Sequence, residues 1–272
     1  MVKFFSLTYA VTWTCFFAAA ALSGSSDSLV PLPSNLQTPL LVLGTFAPSL
    51  VAVGLLARER GIADVQSMLR RMFDGQVAAR WYLFAVGYIA ALKLTAAVAH
   101  RVIAGHWPPF GTTPWLAIAA VIVTSTPIQA GEEIGWRGYA LPRLAARFGL
   151  ARASVLLGVI WGCWHLPLFF VHGLGNYGQS FPMFVLGSTG LSVAMAWLYA
   201  HTNGSLLLAM LMHSAVNQTM GIVPTRVAPG NPLTVIDTSL VTLLFGALFA
   251  LTVAYFLVRM PGRVVGDQHV EP

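Results

Sequence analysis

The sequence predicts an all-α, polytopic membrane protein: a bundle of about eight transmembrane helices with both termini in the cytoplasm. Three observations lead there. Hydrophobic residues make up 57% of the 272-residue chain and charged residues 9%, and the mean hydropathy is +0.73, which is not the balance of a soluble domain. Apolar stretches of roughly 18 to 25 residues, the length needed to cross the hydrocarbon, recur from end to end. The basic residues between those stretches fall overwhelmingly on one side.

The stretches are 4–22, 38–57, 81–100, 114–136, 152–171, 182–200, 205–223 and 235–258. The connections between them are too short for a water-soluble module, so residues 1–272 form a single integral membrane domain. The first stretch follows Lys3 and ends in small residues at 20–25, a pattern shared with secretory signals; its apolar run exceeds a typical signal core, which favours a retained span. Between the second and third stretches, segment 58–80 interleaves Val65, Met68, Leu69, Met72 and Phe73 with arginines and acids. It reads either as a helix on the membrane surface or as a charged connector.

Lys3, Arg58, Arg60, Arg70, Arg71, Arg80, Arg137, Arg143, Arg147, Arg152, Arg259 and Arg263 lie on one side, and Arg101 and Arg226 on the other. That asymmetry places both termini in the cytoplasm. The sequence pI of about 9.7 therefore reflects topology, and no basic cluster interleaved with aromatics suggests a nucleic-acid partner. The partner the composition implies is the lipid bilayer. Cys15 and Cys163 both fall in spans, where they read as small packing residues. Lys93, in the third stretch, is placed to snorkel to the extracytoplasmic interface. His100, His106, His172 and His201 fall at span ends or in loops and need no functional account.

The polar residues that lipid would expel carry the chemistry. Glu132 and Glu133 are the only adjacent acids inside an apolar stretch, Asp237 standing alone at the start of the eighth, and an ionisable group there costs about 3 kcal/mol on insertion scales. Glu133 and Arg137 are four apart, so on a helix they form an ion pair that offsets part of the burial cost. Glu132 points about 100° away, free to address another neighbour as a general base. The plainer reading is a helix-end charge cluster in interfacial water. His165 follows Gly158 and Gly162, a GxxxG face on which another helix packs, and precedes Pro167, which cannot donate to the carbonyl of Cys163. In the seventh stretch Ala209, His213, Asn217 and Gly221 form an i+4 ladder of small and polar residues. Either element alone reads equally as interhelical hydrogen bonding without chemistry.

Depth along the spans brings Glu132 and His213 together, about one and two turns from the cytoplasmic ends of their stretches. His165 lies about three to four turns deep by the same reckoning. The three agree only if the fifth stretch begins beyond Arg152 or if 138–150 re-enters the bilayer.

Glu132-Glu133-x-x-x-Arg137, Trp161-x-x-x-His165 and His213-x-x-x-Asn217, in this order on membrane helices, resemble the CPBP family of intramembrane proteases, the group of CAAX prenyl endopeptidases and bacteriocin-processing enzymes. The resemblance covers 129–217 and defines a protease core at 125–220. One departure is visible: the family's second motif usually begins with phenylalanine, whereas this chain has Trp161, read here as an aromatic packing residue that bears on pocket shape. The resemblance implies that Glu132 activates a water held also by His165, that Glu133 paired to Arg137 is the scaffold, and that His213 and Asn217 stabilise the oxyanion. It implies peptide-bond hydrolysis in a membrane-associated substrate, either a prenylated CAAX-type tail or a leader peptide. The setting it suggests is a bacterial inner membrane with the active site towards the cytoplasm.

The family is commonly filed under metalloproteases, and Glu132, His165 and His213 are a competent Zn²⁺ ligand set. Against a metal, the chain has no HExxH, and Asn217 beside His213 suits an oxyanion donor; the expectation is metal-free hydrolysis. Two other classes stand beside the protease. One is a proton-coupled transporter relaying through Glu132, Glu133, His165 and His213; the other is a non-catalytic immunity or scaffold protein on the same fold.

Overall fold

A computed structural model describes residues 1–23, 36–170, 176–177, 179–224 and 239–262, which are helical with no strand among them. Arg226, Arg263, His172 and the ends of three predicted segments (24–25, 171 and 235–238) lie outside the described residues. Six helices are long and apolar enough to cross a membrane: α1 (Val2–Ser23), α2 (Gln37–Arg60), α4 (Ala79–Ala104), α8 (Leu150–Trp164) with the 3₁₀ turn Leu166–Phe170 that continues it, α9 (Phe181–His201) and α11 (Leu240–Arg259). The molecule is an all-helical integral membrane protein, and these six correspond to six of the predicted stretches.

The other two stretches take a different form. The seventh is α10 (Leu206–Thr219), only 14 residues and therefore about 21 Å long. The fourth is not one helix but a series: α5 (Trp115–Ser125), a 3₁₀ turn over Thr126–Gln129, α6 (Ala130–Glu133), a π-helical turn over Ile134–Ala140 and α7 (Leu141–Phe148). Pro127 cannot donate to the carbonyl of Val123, so α5 stops there. The carbonyl of Val123 accepts instead from the backbone N–H of Thr126, and the hydroxyls of Ser125 and Thr126 bond back to the carbonyls of Val121 and Ile122, at 2.7 Å each.

This irregular series is held by α2. Pro48 removes the helical bond to the carbonyl of Gly44, and Thr12 of α1 donates to that carbonyl instead, at 2.8 Å. The next residue, Ser49, donates to the carbonyl of Ala130 at 2.6 Å. Gly135 lies so close that a Cβ there would sit 2.6 Å from the backbone of Pro48. The π turn is thus pressed against the kink of α2, and every residue from Ala130 to Pro142 is buried.

Residues 138–144 are buried, apart from partly exposed Arg143, and α8 begins at Leu150, before Arg152. The chain does not leave the protein after Arg137. Glu132 stands about four turns from Phe148, and His165 about four turns from Leu150 on the facing helix.

Segment 58–80 is in part helical, as the first of the two readings expects. It contains α3 (Ile62–Arg70) and the 3₁₀ turn Arg71–Phe73, with Val65 and Met68 buried in the core. Arg71 clamps the turn between α9 and α10. It donates to the carbonyl of Gly204 from Nε (3.0 Å) and Nη2 (2.7 Å) and to the Tyr199 hydroxyl, where Asn203 and Gly204 both adopt positive φ.

Lys93 does not snorkel. It is 0% exposed, donates to the carbonyl of Val223 at 2.8 Å and lies 4.9 Å from the ring centroid of Phe245, so its stem runs into the bundle. The GxxxG face packs as its pattern predicts, on α9: a Cβ at Gly158 would lie 2.6 Å from Cα of Thr189, and one at Gly162 would lie 3.0 Å from Cα of Val185.

Candidate active site

Glu133 and Arg137 straddle the start of the π turn and form the pair their spacing predicts, Arg137 Nη1 donating to Glu133 Oε1 at 2.9 Å. Both side chains are almost wholly buried, at 0% and 1% exposed. The same carboxylate oxygen accepts from His213 Nδ1 of α10, at 2.7 Å. A carboxylate only accepts, so this bond places the proton of His213 on Nδ1 and leaves Nε2 as the working nitrogen. One acid therefore ties two elements together and fixes an imidazole by its far side.

Glu132 faces the other way, as 100° of helical rotation requires. Its Oε2 accepts from the indole N–H of Trp161 on α8, at 2.7 Å. Trp161 also accepts: its carbonyl takes a hydrogen bond from His165 Nδ1 at 2.8 Å, which leaves Nε2 of His165 available too. The Trp161 ring lies under the Arg137 guanidinium, with Cζ 4.3 Å from the ring centroid, and meets His213 edge to face at 5.3 Å between centroids. His165 is further enclosed by Trp164 and by Phe184 of α9.

The position of His165 follows from local sequence. Pro167 ends α8 at Trp164, and α1 braces the frayed terminus: Trp13 Nε1 donates to the carbonyl of Trp164 at 3.1 Å, and the Tyr9 hydroxyl to that of Ile160. On α10, Ser205 caps the N-terminus by accepting from the backbone N–H of Leu208 at 3.2 Å. Ser214 then donates to the carbonyl of Ile122 (2.8 Å) and shares a 2.7 Å hydrogen bond with Ser125, which sets the rotation of α10 against α5.

Of the six residues singled out in the sequence, Glu132, Glu133, Arg137, His165 and His213 are joined through hydrogen bonds and the Trp161 ring. Asn217 is not: it lies one turn beyond His213, exposed, with no hydrogen bond to a described residue. Trp161 is the residue that sequence reasoning undervalued, since an indole scores as apolar while its N–H, once buried, requires an acceptor. Among the described residues, Glu133 Oε2 and the Nε and Nη2 atoms of Arg137 have no hydrogen-bond partner.

The Zn²⁺ ligand set does not fit as arranged. Among the described residues no group of three or more His, Cys, Asp or Glu side chains is arranged to hold a metal ion. Glu132, His165 and His213 are engaged instead with Trp161 and Glu133, each keeping one atom free.

Fold and site together define a polytopic membrane protein with a buried centre of carboxylate, guanidinium and imidazole groups. Residues 111–219 match the family model described as type II CAAX prenyl endopeptidase Rce1-like. The chain is also 24% identical over 234 residues to CAAX prenyl protease 2 of Methanococcus maripaludis, an alignment covering 79% of this chain and 81% of that protein. The resemblance to the CAAX prenyl endopeptidase group, first carried by three short motifs, is borne out by both comparisons.

Proposed function

We propose that this protein is an intramembrane endopeptidase that hydrolyses a peptide bond of a membrane-associated substrate. The observation that carries the reading is the convergence of Glu132, Glu133, Arg137, His165 and His213 from separate segments onto one buried centre, with Oε1 of Glu132 and Nε2 of both histidines uncommitted. Lipid would reject each of these groups singly, so their assembly calls for a use.

The chemistry needs no further component. Glu132 Oε1 takes a proton from a water that His165 Nε2 also holds, as that water attacks the scissile carbonyl carbon. Charge develops on the carbonyl oxygen; the Asn217 amide stabilises it together with Nε2–H of His213, which acts as an imidazolium with its Nδ1–H held by the Glu133 carboxylate. The tetrahedral intermediate collapses with cleavage of the C–N bond, and Glu132 returns the proton to the departing amine nitrogen. Glu133 and Arg137 do not react; they hold His213 and the π turn in place.

The substrate class that family and relative support is a prenylated C-terminal CAAX-type tail, with an unlipidated leader peptide as the alternative occupant of the same site. The topology we propose is eight crossings with both termini cytoplasmic, the broken run from α5 to α7 and the short α10 serving as two of them. The protease core is 125–220 within one membrane domain, set in a bacterial inner membrane with the active site opening towards the cytoplasm. Comparing membrane proteomes of cells carrying the wild type and Glu132→Gln tests the function: a peptide should accumulate uncut in the variant. Identical peptide inventories would remove the assignment. Elemental analysis of both purified proteins tests the metal-free mechanism, which requires full turnover in metal-depleted wild type.

A further inference from the structure

The indole of Trp161 touches four of the six site residues: Glu132 by a hydrogen bond, Arg137 by its ring face, and His165 and His213 by ring edges. It is 3% exposed, and α8 is pinned beside it where Gly158 and Gly162 lie against the backbone of α9. An aromatic residue placed only for packing would need none of this polar complementarity. Among the described residues, moreover, Glu132 forms no salt bridge, and Arg137 Nη1 is given to Glu133. Among the described residues, the indole N–H is the only hydrogen-bond donor to Glu132.

Resting on the proposed role of Glu132 as general base, we infer that Trp161 is the positioning residue of that base: its N–H anchors Oε2 so that Oε1 faces the attacking water. A carboxylate on a three-torsion stem otherwise sweeps through several orientations, and a displacement of about 1 Å in a reacting group costs about 100-fold in rate. A 2.7 Å bond to an ionised acceptor in a water-poor interior is among the strong hydrogen bonds, and it suits that task. The ring face under Arg137 gives the indole its own fixed orientation. The role requires the nitrogen of the side chain, and its shape alone does not suffice.

The test uses the full-length protein in proteoliposomes and a quenched farnesylated CAAX peptide. Trp161→Phe keeps a ring beneath Arg137 and loses the donor; replacing Trp161 with benzothienylalanine keeps the full bicyclic shape and exchanges N–H for sulfur. Both should lower kcat about 100-fold with KM held within about twofold, the signature of an interaction that orients the reacting group without binding substrate. The benzothienyl variant, nearly isosteric, decides the matter if Trp161→Phe folds poorly. Full kcat in it, or a loss confined to KM, would overturn the inference. Glu132→Gln run alongside separates the two levels: cleavage that survives it removes the proposed base together with its positioning residue. Cleavage that Glu132→Gln abolishes, but that keeps full kcat in both Trp161 variants, removes the positioning role alone.

Discussion

At the scale of single residues, two kinds of polar side chain have opposite relations to stability. Glu133 is fully buried and shared between Arg137 and His213, so Glu133→Gln leaves a buried guanidinium without its counter-charge. A loss of about 3 to 5 kcal/mol is expected, read as a lowered unfolding midpoint in mild detergent. Asn217 is exposed and bonded to no described residue, so Asn217→Ala should leave that midpoint unchanged while lowering kcat about 100-fold or more. A wild-type kcat in Asn217→Ala would remove the oxyanion role from Asn217. The five residues that the structure brings together, Glu132, Glu133, Arg137, His165 and His213, were conspicuous in the sequence for one reason: in a chain with so few charges, each polar group inside an apolar run stands out. Trp161 was hidden because hydropathy counts an indole as apolar, and its hydrogen bond to Glu132 appears only once α6 and α8 are set side by side.

At the scale of elements, the site depends on how closely backbones approach. Gly158 lies against α9, where a Cβ would meet Cα of Thr189 at 2.6 Å, and Gly135 lies against Pro48 at the same separation. Neither neighbour is a flexible side-chain tip. Gly158→Leu should push α8 off α9, cost about 1 to 3 kcal/mol and displace Trp161 and His165 together, so that stability and turnover fall in step. A Gly158→Leu protein with full stability and activity would contradict the packing described here. Long helices such as α2, α4 and α9 were legible from apolar length alone. The run from α5 to α7 was not: Pro127 breaks it, the Thr126 backbone N–H takes the carbonyl of Val123 that Pro127 cannot, and the π turn is stabilised by tertiary contact with Pro48, which no window along the chain detects. For the same reason 138–150 read as connection although most of it is buried. Lys93 misled in the opposite sense, because a long stem about two turns from a span end suggests the interface whereas the side chain is buried on the carbonyl of Val223.

At the scale of the whole molecule, the catalytic reading needs α1 as well as the matched segment 111–219. Phe4 packs on Trp136, Phe16 packs on Trp164, and Tyr9 and Trp13 hold the end of α8 that presents His165. Deleting residues 1–23 should therefore abolish cleavage and lower the unfolding midpoint, although no side chain of α1 reaches the reacting groups. Coexpression of α1 as a separate segment should restore part of both. The central claim is that the assembled carboxylate and imidazole groups split a peptide bond. It is tested most directly by single-turnover cleavage of a quenched farnesylated CAAX peptide by purified wild-type and Glu132→Gln proteins in proteoliposomes. A wild-type rate that falls at least about 1,000-fold in Glu132→Gln, with peptide binding intact, is the predicted result; equal rates for the two proteins would contradict it.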